Sequence, residues 1–343
     1  MTQNDNSSTE KPETAGKSPA QVAELAAENA GQDAAGDAKP DADAKTDEKG
    51  NGKDESKDSG KVNWLAELRG LALMLLAVLF FHSLVAKPFY IPSTSMMPSL
   101  WVGDRLVVSK YPYGWNWSSV SFHLLPRSDW RIWGATPEYG DIVIPVHPDR
   151  DEDYIKRVVG RPGDTVEVRD GILFLNGEAV KREVVPSVRI PFEPELTCDS
   201  GGVPSPCLSA FERFRVREAN GDQYYEPPTF RETLPNGATY LIIDHENQPL
   251  DTFGPYIVPE NHVFVMGDNR DESADSRADA DARGLGGAVP LENIGGRAEF
   301  ITFSLDGSTG WNPISWFSSM RGDRAWTTLR PAMAEKPKAK NEE

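Results

Sequence analysis

Four short segments hold residues whose types and spacing could do chemistry. In IPSTSMMPSLWVGD, residues 91–104, Ser93 and Ser95 stand two apart in a loop braced by prolines. In an extended chain their side chains share a face, so one hydroxyl could attack while the other donates a hydrogen bond. In YIKRVVGRPGD, residues 154–164, Lys156 sits in an alternating apolar run. Desolvation lowers the pKa of a buried lysine, which would make it a general base toward a serine hydroxyl. Bringing an amine from about 10.4 to roughly 7–8 takes on the order of 3.5–5 kcal/mol of destabilisation of the ammonium. Spacing alone would favour a Lys156 that points outward into water. The third segment, GDNRDESADSR at 267–277, is crowded with Asp, Ser and Arg. Alone it reads as a solvated polar loop. The fourth, GDIVIP at 140–145, opens a strand and gains weight only from its neighbours.

In this order, behind an apolar segment, the four resemble the type I signal peptidases, a family of Ser–Lys dyad peptidases. The serine before the first Met of PSxSMxP is Ser95, and the lysine of YIKRxxGxPGD is Lys156. The resemblance implies Ser95 as nucleophile and Lys156 as base. It implies an oxyanion hole from the Ser93 hydroxyl and the Ser95 N–H, and a Ser273 that hydrogen-bonds and orients Lys156. It further implies structural ion pairs Asp268–Arg157 and Asp275–Arg277. Phe89, Ile91 and Ile155 would line pockets for small side chains, and the substrate would bind as an added β-strand. It implies no cofactor and no metal. Its partners would be preprotein signal peptides, the phospholipid membrane and the secretion translocon. Some features depart from the family pattern. Ser99 replaces a common Thr, and Glu272 adds a charge beside Ser273. Residues 278–289 lack an aromatic run often found there.

The elements that must position these residues begin with a membrane segment. Residues 71–86, LALMLLAVLFFHSLVA, fall short of the roughly 20 residues a spanning helix needs. Extension back to Leu65 supplies the length, with Glu67 and Arg69 near one end and Trp64 in the interfacial belt. A single transmembrane anchor is therefore expected over 64–86. Lys61 and Arg69 place its N-terminal side in the cytoplasm and the rest outside, in the plasma (inner) membrane on the periplasmic side. Residues 1–63 lack Phe, Trp and Tyr and are expected to be a disordered acidic tail.

Downstream, 140–146, 153–159, 164–177, 238–244, 261–268 and 297–305 read as strands, with a type I′ hairpin at Asp170-Gly171. No long helical period follows the anchor. The expected fold is mostly β: an antiparallel catalytic core over 87–330, an inserted subdomain at 181–237, and a frayed end from 331. The aromatic stretch 111–133 is a candidate for membrane contact. Cys198 and Cys207 are expected to form one local disulfide if this part is exported.

Other chemistries lack support. The net charge of -17 disfavours nucleic acid. The five histidines have no metal spacing, and no glycine-rich phosphate loop exists. CDSGG at 198–202 mimics a chymotrypsin-like serine loop, but Cys198 stands where a Gly would be needed. Two rivals share part of the evidence. A self-cleaving Ser–Lys repressor would need a DNA-binding domain that the acidic tail does not offer. A catalytically silent membrane scaffold would keep the fold without the reaction.

Overall fold

In the computed structural model the described residues are 63–120, 125–199, 204–310 and 312–334. The acidic tail expected over 1–63 lies outside them, apart from residue 63. Helix α1, Trp64–Leu84, is the membrane candidate. Its 21 residues span about 31 Å at 1.5 Å each, enough for the hydrocarbon of a bilayer. Its apolar side chains stand exposed along most of its length, and only its C-terminal end, at Ser83 and Leu84, is covered by the protein. The helix ends two residues before the expected 86, because Ala86 already starts a strand.

The main sheet has seven antiparallel strands. They are β1 (Ala86–Tyr90), β2 (Asp104–Ser109), β3 (Ile142–Pro145), β4 (Lys156–Gly160), β5 (His262–Met266), β6 (Val289–Pro290) and β7 (Ile294–Ser304). Their spatial order is β1-β2-β7-β3-β4-β5-β6. Register shifts interrupt the β2–β7, β3–β7 and β4–β5 ladders. Such bulges bend and twist a sheet, and the bend brings the loop after edge strand β1 back to β4. All five residues of β4 are buried, so it is covered on both faces. Val158 joins one core cluster with Val143 and Val265, and Val159 another with Phe264 and Met266. The expected in–out alternation is therefore absent from this strand.

The 164–177 run folds as Thr165–Arg169 and Ile172–Leu175, paired antiparallel. Asp170 and Gly171 both adopt positive φ, 48° and 76°, as a type I′ turn demands. The segment 181–237 does not hang off the core. Its end strands, Lys181–Val185 and Thr229–Thr233, pair with each other, and the second also pairs with Ala238–Ile243. Its middle carries a disulfide between Cys198 and Cys207. Leu208, Phe211 and Tyr225 from the middle pack on Met97, Trp101 and Ile243. The end expected to fray from 331 is in part held. Ala332–Met333 pairs with Thr239 and Ala238, completing that four-stranded sheet. Residues 335–343 lie outside the described residues.

Candidate active site

Ser95 and Lys156 meet. The Lys156 Nζ lies 3.0 Å from the Ser95 Oγ and donates to its neighbour's carbonyl, Ile155 O, at 2.9 Å. β4 delivers the lysine from the sheet interior, and the turn after β1 delivers the serine. Lys156 is 4% exposed. Burial lowers its pKa to about 8, while the Asp275 and Asp268 carboxylates pull the other way. The outward-pointing alternative for Lys156 is excluded. The Ser93 hydroxyl lies 3.4 Å from that of Ser95, consistent with two side chains on one face of the loop.

The loop after β5 holds this pair from behind. Arg157 grips Asp268 with two parallel bonds, Nε to Oδ1 at 2.7 Å and Nη2 to Oδ2 at 2.6 Å, with both side chains buried. Its Nη2 also reaches the Ser99 hydroxyl at 3.1 Å, so the Ser in place of Thr still contacts the guanidinium. Asp275 pairs with Arg277 at 2.9 Å and accepts the Gly267 N–H at the same distance. That pairing holds the Asp275 carboxyl below its usual range despite its burial. Both expected ion pairs are thus formed.

Ser273 differs from expectation. Its hydroxyl is buried and has no hydrogen-bond partner, so the expected bond to Lys156 is not made. It packs instead against Gly267, where an added Cβ would lie 2.2 Å from the Ser273 Oγ and 2.5 Å from the Ser95 carbonyl oxygen. Only glycine fits between the two loops. Beside it, burial and the neighbouring Asp271 push the Glu272 carboxyl up.

Ile91 and Ile155 share one core cluster with Met96 and Leu100, and Phe89 packs on its margin. The three residues expected to line small pockets are therefore neighbours. The unusual 278–289 loop closes without its aromatic run. Leu285 and Val289 fill a core cluster there, and the Ala288 N–H donates to the Tyr256 hydroxyl at 3.3 Å.

The structure adds residues that spacing did not single out. The Asn269 N–H donates to the Ser95 carbonyl at 3.1 Å, and its side-chain amide donates to Thr94 O at 3.3 Å. Arg270 pairs with Glu232, which also accepts from the Tyr240 hydroxyl at 2.7 Å, all buried. Asn269 and Arg270 stand inside a motif already noted for its charge. Glu232 lies among many exposed charges, where nothing marks it. Lys110 is a second buried lysine, 2% exposed, with its pKa lowered to about 8 by burial and then by Lys87.

A sequence model described as signal peptidase, peptidase S26, matches residues 63–303. A protein named Signal peptidase I from Rickettsia bellii (strain OSU 85-389) is 32% identical over 265 residues, covering 74% of this chain and 75% of the relative. One of the same name from Rickettsia typhi is 30% identical over 285 residues, covering 77% and 93%. A solved signal peptidase I from Enterococcus faecalis covers 47% of this chain and 95% of its own at 23% identity. The TM-score between the two is 0.23.

Proposed function

The chain belongs to the signal peptidase S26 family of serine peptidases, and from that membership we propose a membrane-anchored endopeptidase that cuts signal peptides from exported preproteins. Ser95 is the nucleophile and Lys156 the general base. The observation that carries this reading is the 3.0 Å contact between them, with the amine buried and its pKa near 8. Neutral Lys156 takes the Ser95 proton as Oγ bonds to the carbonyl carbon of the scissile peptide. The carbonyl electron pair moves to oxygen, where the Ser95 N–H and the Ser93 hydroxyl donate to it. The C–N bond then breaks, and the Lys156 ammonium gives its proton to the departing amine, the new N-terminus of the mature protein. The signal peptide remains as an ester on Ser95. Water gives a proton to Lys156 as its oxygen bonds to the ester carbon; the bond to Ser95 Oγ then breaks, Lys156 returns the proton to that oxygen, and the signal peptide leaves with a new C-terminal carboxyl group.

Among the described residues β1 pairs with β2 alone, which leaves its other edge for an extended peptide. Phe89, Ile91 and Ile155 favour small side chains at the first and third positions before the cut, an Ala-x-Ala pattern. Helix α1 crosses the plasma membrane once, with the N-terminal side cytoplasmic and the catalytic body outside, beside the export machinery.

The test is cleavage of an Ala-x-Ala preprotein in liposomes by wild type, Ser95→Ala and Lys156→Ala. Cutting after the second Ala by wild type alone supports the dyad. Cutting by Lys156→Ala places the base elsewhere. A folded wild type that never cuts, beside an active control peptidase, returns the scaffold reading.

A further inference from the structure

Two runs of chain face each other beside the Ser95–Lys156 pair. One is β1 with the residue after it, where Lys87, Phe89 and Ile91 fall at every second position and so share a face. The other is the approach to β4, residues 153–155, held along β3 by the Tyr154 N–H on Pro145 O at 2.8 Å. Ile91 and Ile155 lie in one core cluster, with Phe89 on its margin. Further from Ser95 the contact between the runs turns from apolar to charged. The Lys87 Nζ lies 3.5 Å from the Asp153 Oδ2, with the two side chains 25% and 22% exposed. That is long for a charge-assisted hydrogen bond, which closes to about 2.7–2.9 Å, so the amine is open to a better-placed carboxylate from outside. A second amine stands close by. Lys110 is buried, and both amines approach the Phe89 ring, Lys87 at 4.6 Å from its centroid and Lys110 at 6.0 Å. Burial and then Lys87 lower the Lys110 pKa to about 8, while Asp153 raises it, so most of the Lys110 population is charged at neutral pH. This end of the cleft therefore holds two cations against one carboxylate.

We propose that Lys87, with Lys110 beside it and Asp153 as its resting partner, forms a subsite for an acidic side chain at the fifth position before the cut. The proposal rests on the peptidase reading, in which the first and third positions meet Ile91, Ile155 and Phe89. An extended peptide rises about 6.7 Å every two residues, as β1 does. The next side chain on the same face, the fifth, therefore comes level with Lys87. A carboxylate there takes Lys87 from Asp153, and Asp153 keeps the charge of Lys110 as its counterpart. An ammonium there meets two like charges, and the one carboxylate within reach is already shared between them.

The experiment uses the full chain in a non-ionic detergent and soluble peptides that share one Ala-x-Ala site and carry Glu, Gln or Lys at the fifth position before the cut. Wild type should cut the Glu peptide on the order of tenfold faster than the Lys peptide in kcat/KM, with Gln between them and the difference carried in KM. In Lys87→Gln the Glu-to-Lys ratio should fall to about two or below, and in Lys87→Glu it should invert. Each ratio is internal to one variant, so a partly unfolded preparation does not disturb it. A wild-type ratio near one overturns the proposal, and so does a ratio that Lys87→Gln leaves at its wild-type value. If wild type cuts none of the peptides, dye-labelled copies are titrated onto Ser95→Ala and onto the Ser95→Ala, Lys87→Gln double variant, with fluorescence anisotropy as the readout. About tenfold tighter binding of the Glu peptide that vanishes with Lys87 means that the peptidase reading fails and the subsite stands. Equal binding of the peptides, or none, overturns the subsite as well.

Discussion

In the proposed mechanism the buried amine of Lys156 makes the Ser95 hydroxyl nucleophilic, and that burial has measurable costs. With a folded pKa of about 8, kcat/KM should climb through that pH on the acid side and fall about tenfold per unit below it. A pH–rate profile flat down to pH 5 would reject the lysine base. The same shift bears on stability. The folded pKa lies below the unfolded value near 10.5, so the unfolded chain binds the proton more tightly. The penalty is present in full below about pH 8 and is relieved as pH rises from 8 toward 10.5. Lys156→Met should therefore abolish activity yet stabilise the fold at pH 7, by on the order of 3 kcal/mol before any loss of packing. Urea titrations at pH 7 and pH 10 would show the gain shrinking at the higher pH. Ser273→Ala removes a buried hydroxyl that has no partner. Its midpoint should stay within about 0.5 kcal/mol of wild type, where loss of a satisfied buried hydrogen bond would cost about 1 kcal/mol.

At the scale of elements, the site is a strand, a turn and a loop pinned together by charge. Arg157 on β4 and Asp268 in the loop after β5 are bonded twice and shielded from water. Asp268→Ala leaves a buried guanidinium without its counter-charge and should cost about 3–5 kcal/mol in denaturant titrations. Replacing both partners with apolar residues should cost clearly less. The disulfide is a lesser staple. Cys198 and Cys207 are nine residues apart, and opening that small loop with a double Cys→Ala variant should cost about 2–3 kcal/mol. Much of this level was legible in the sequence. Alternation and the Asp170-Gly171 turn marked the 164–177 hairpin, and the boxed motifs marked both ion pairs. What escaped has physical reasons. β1 and β2 carry charged residues, Lys87, Asp104 and Arg105, that interrupt any apolar run. Glu232 matters only because Arg270 and Tyr240 arrive beside it from elsewhere in the chain. The Ser273 hydroxyl makes no bond to Lys156, an outcome of packing that no spacing encodes.

At the scale of the whole molecule, the apolar helix and the mostly β body were both foreseeable, since a continuous apolar run marks the first and short alternating runs mark the second. The curl of the sheet was not. It depends on bulges in the β2–β7 and β3–β7 ladders, which are properties of pairing rather than of any one strand. That curl lets an edge turn touch an interior strand. It also sets an order in time. Ser95 and Lys156 are 61 positions apart, and the loop that pins the Ser95 carbonyl through Asn269 comes far later in the chain. β7, which joins β2 to β3 and so completes the curl, ends at Ser304. A chain emerging N-terminus first would carry Ser95, the proposed nucleophile, long before Lys156 and the bracing loop could reach it. Such a protease would need no removable pro-segment to stay silent during its own synthesis, because unfinished topology keeps the hydroxyl and the amine apart.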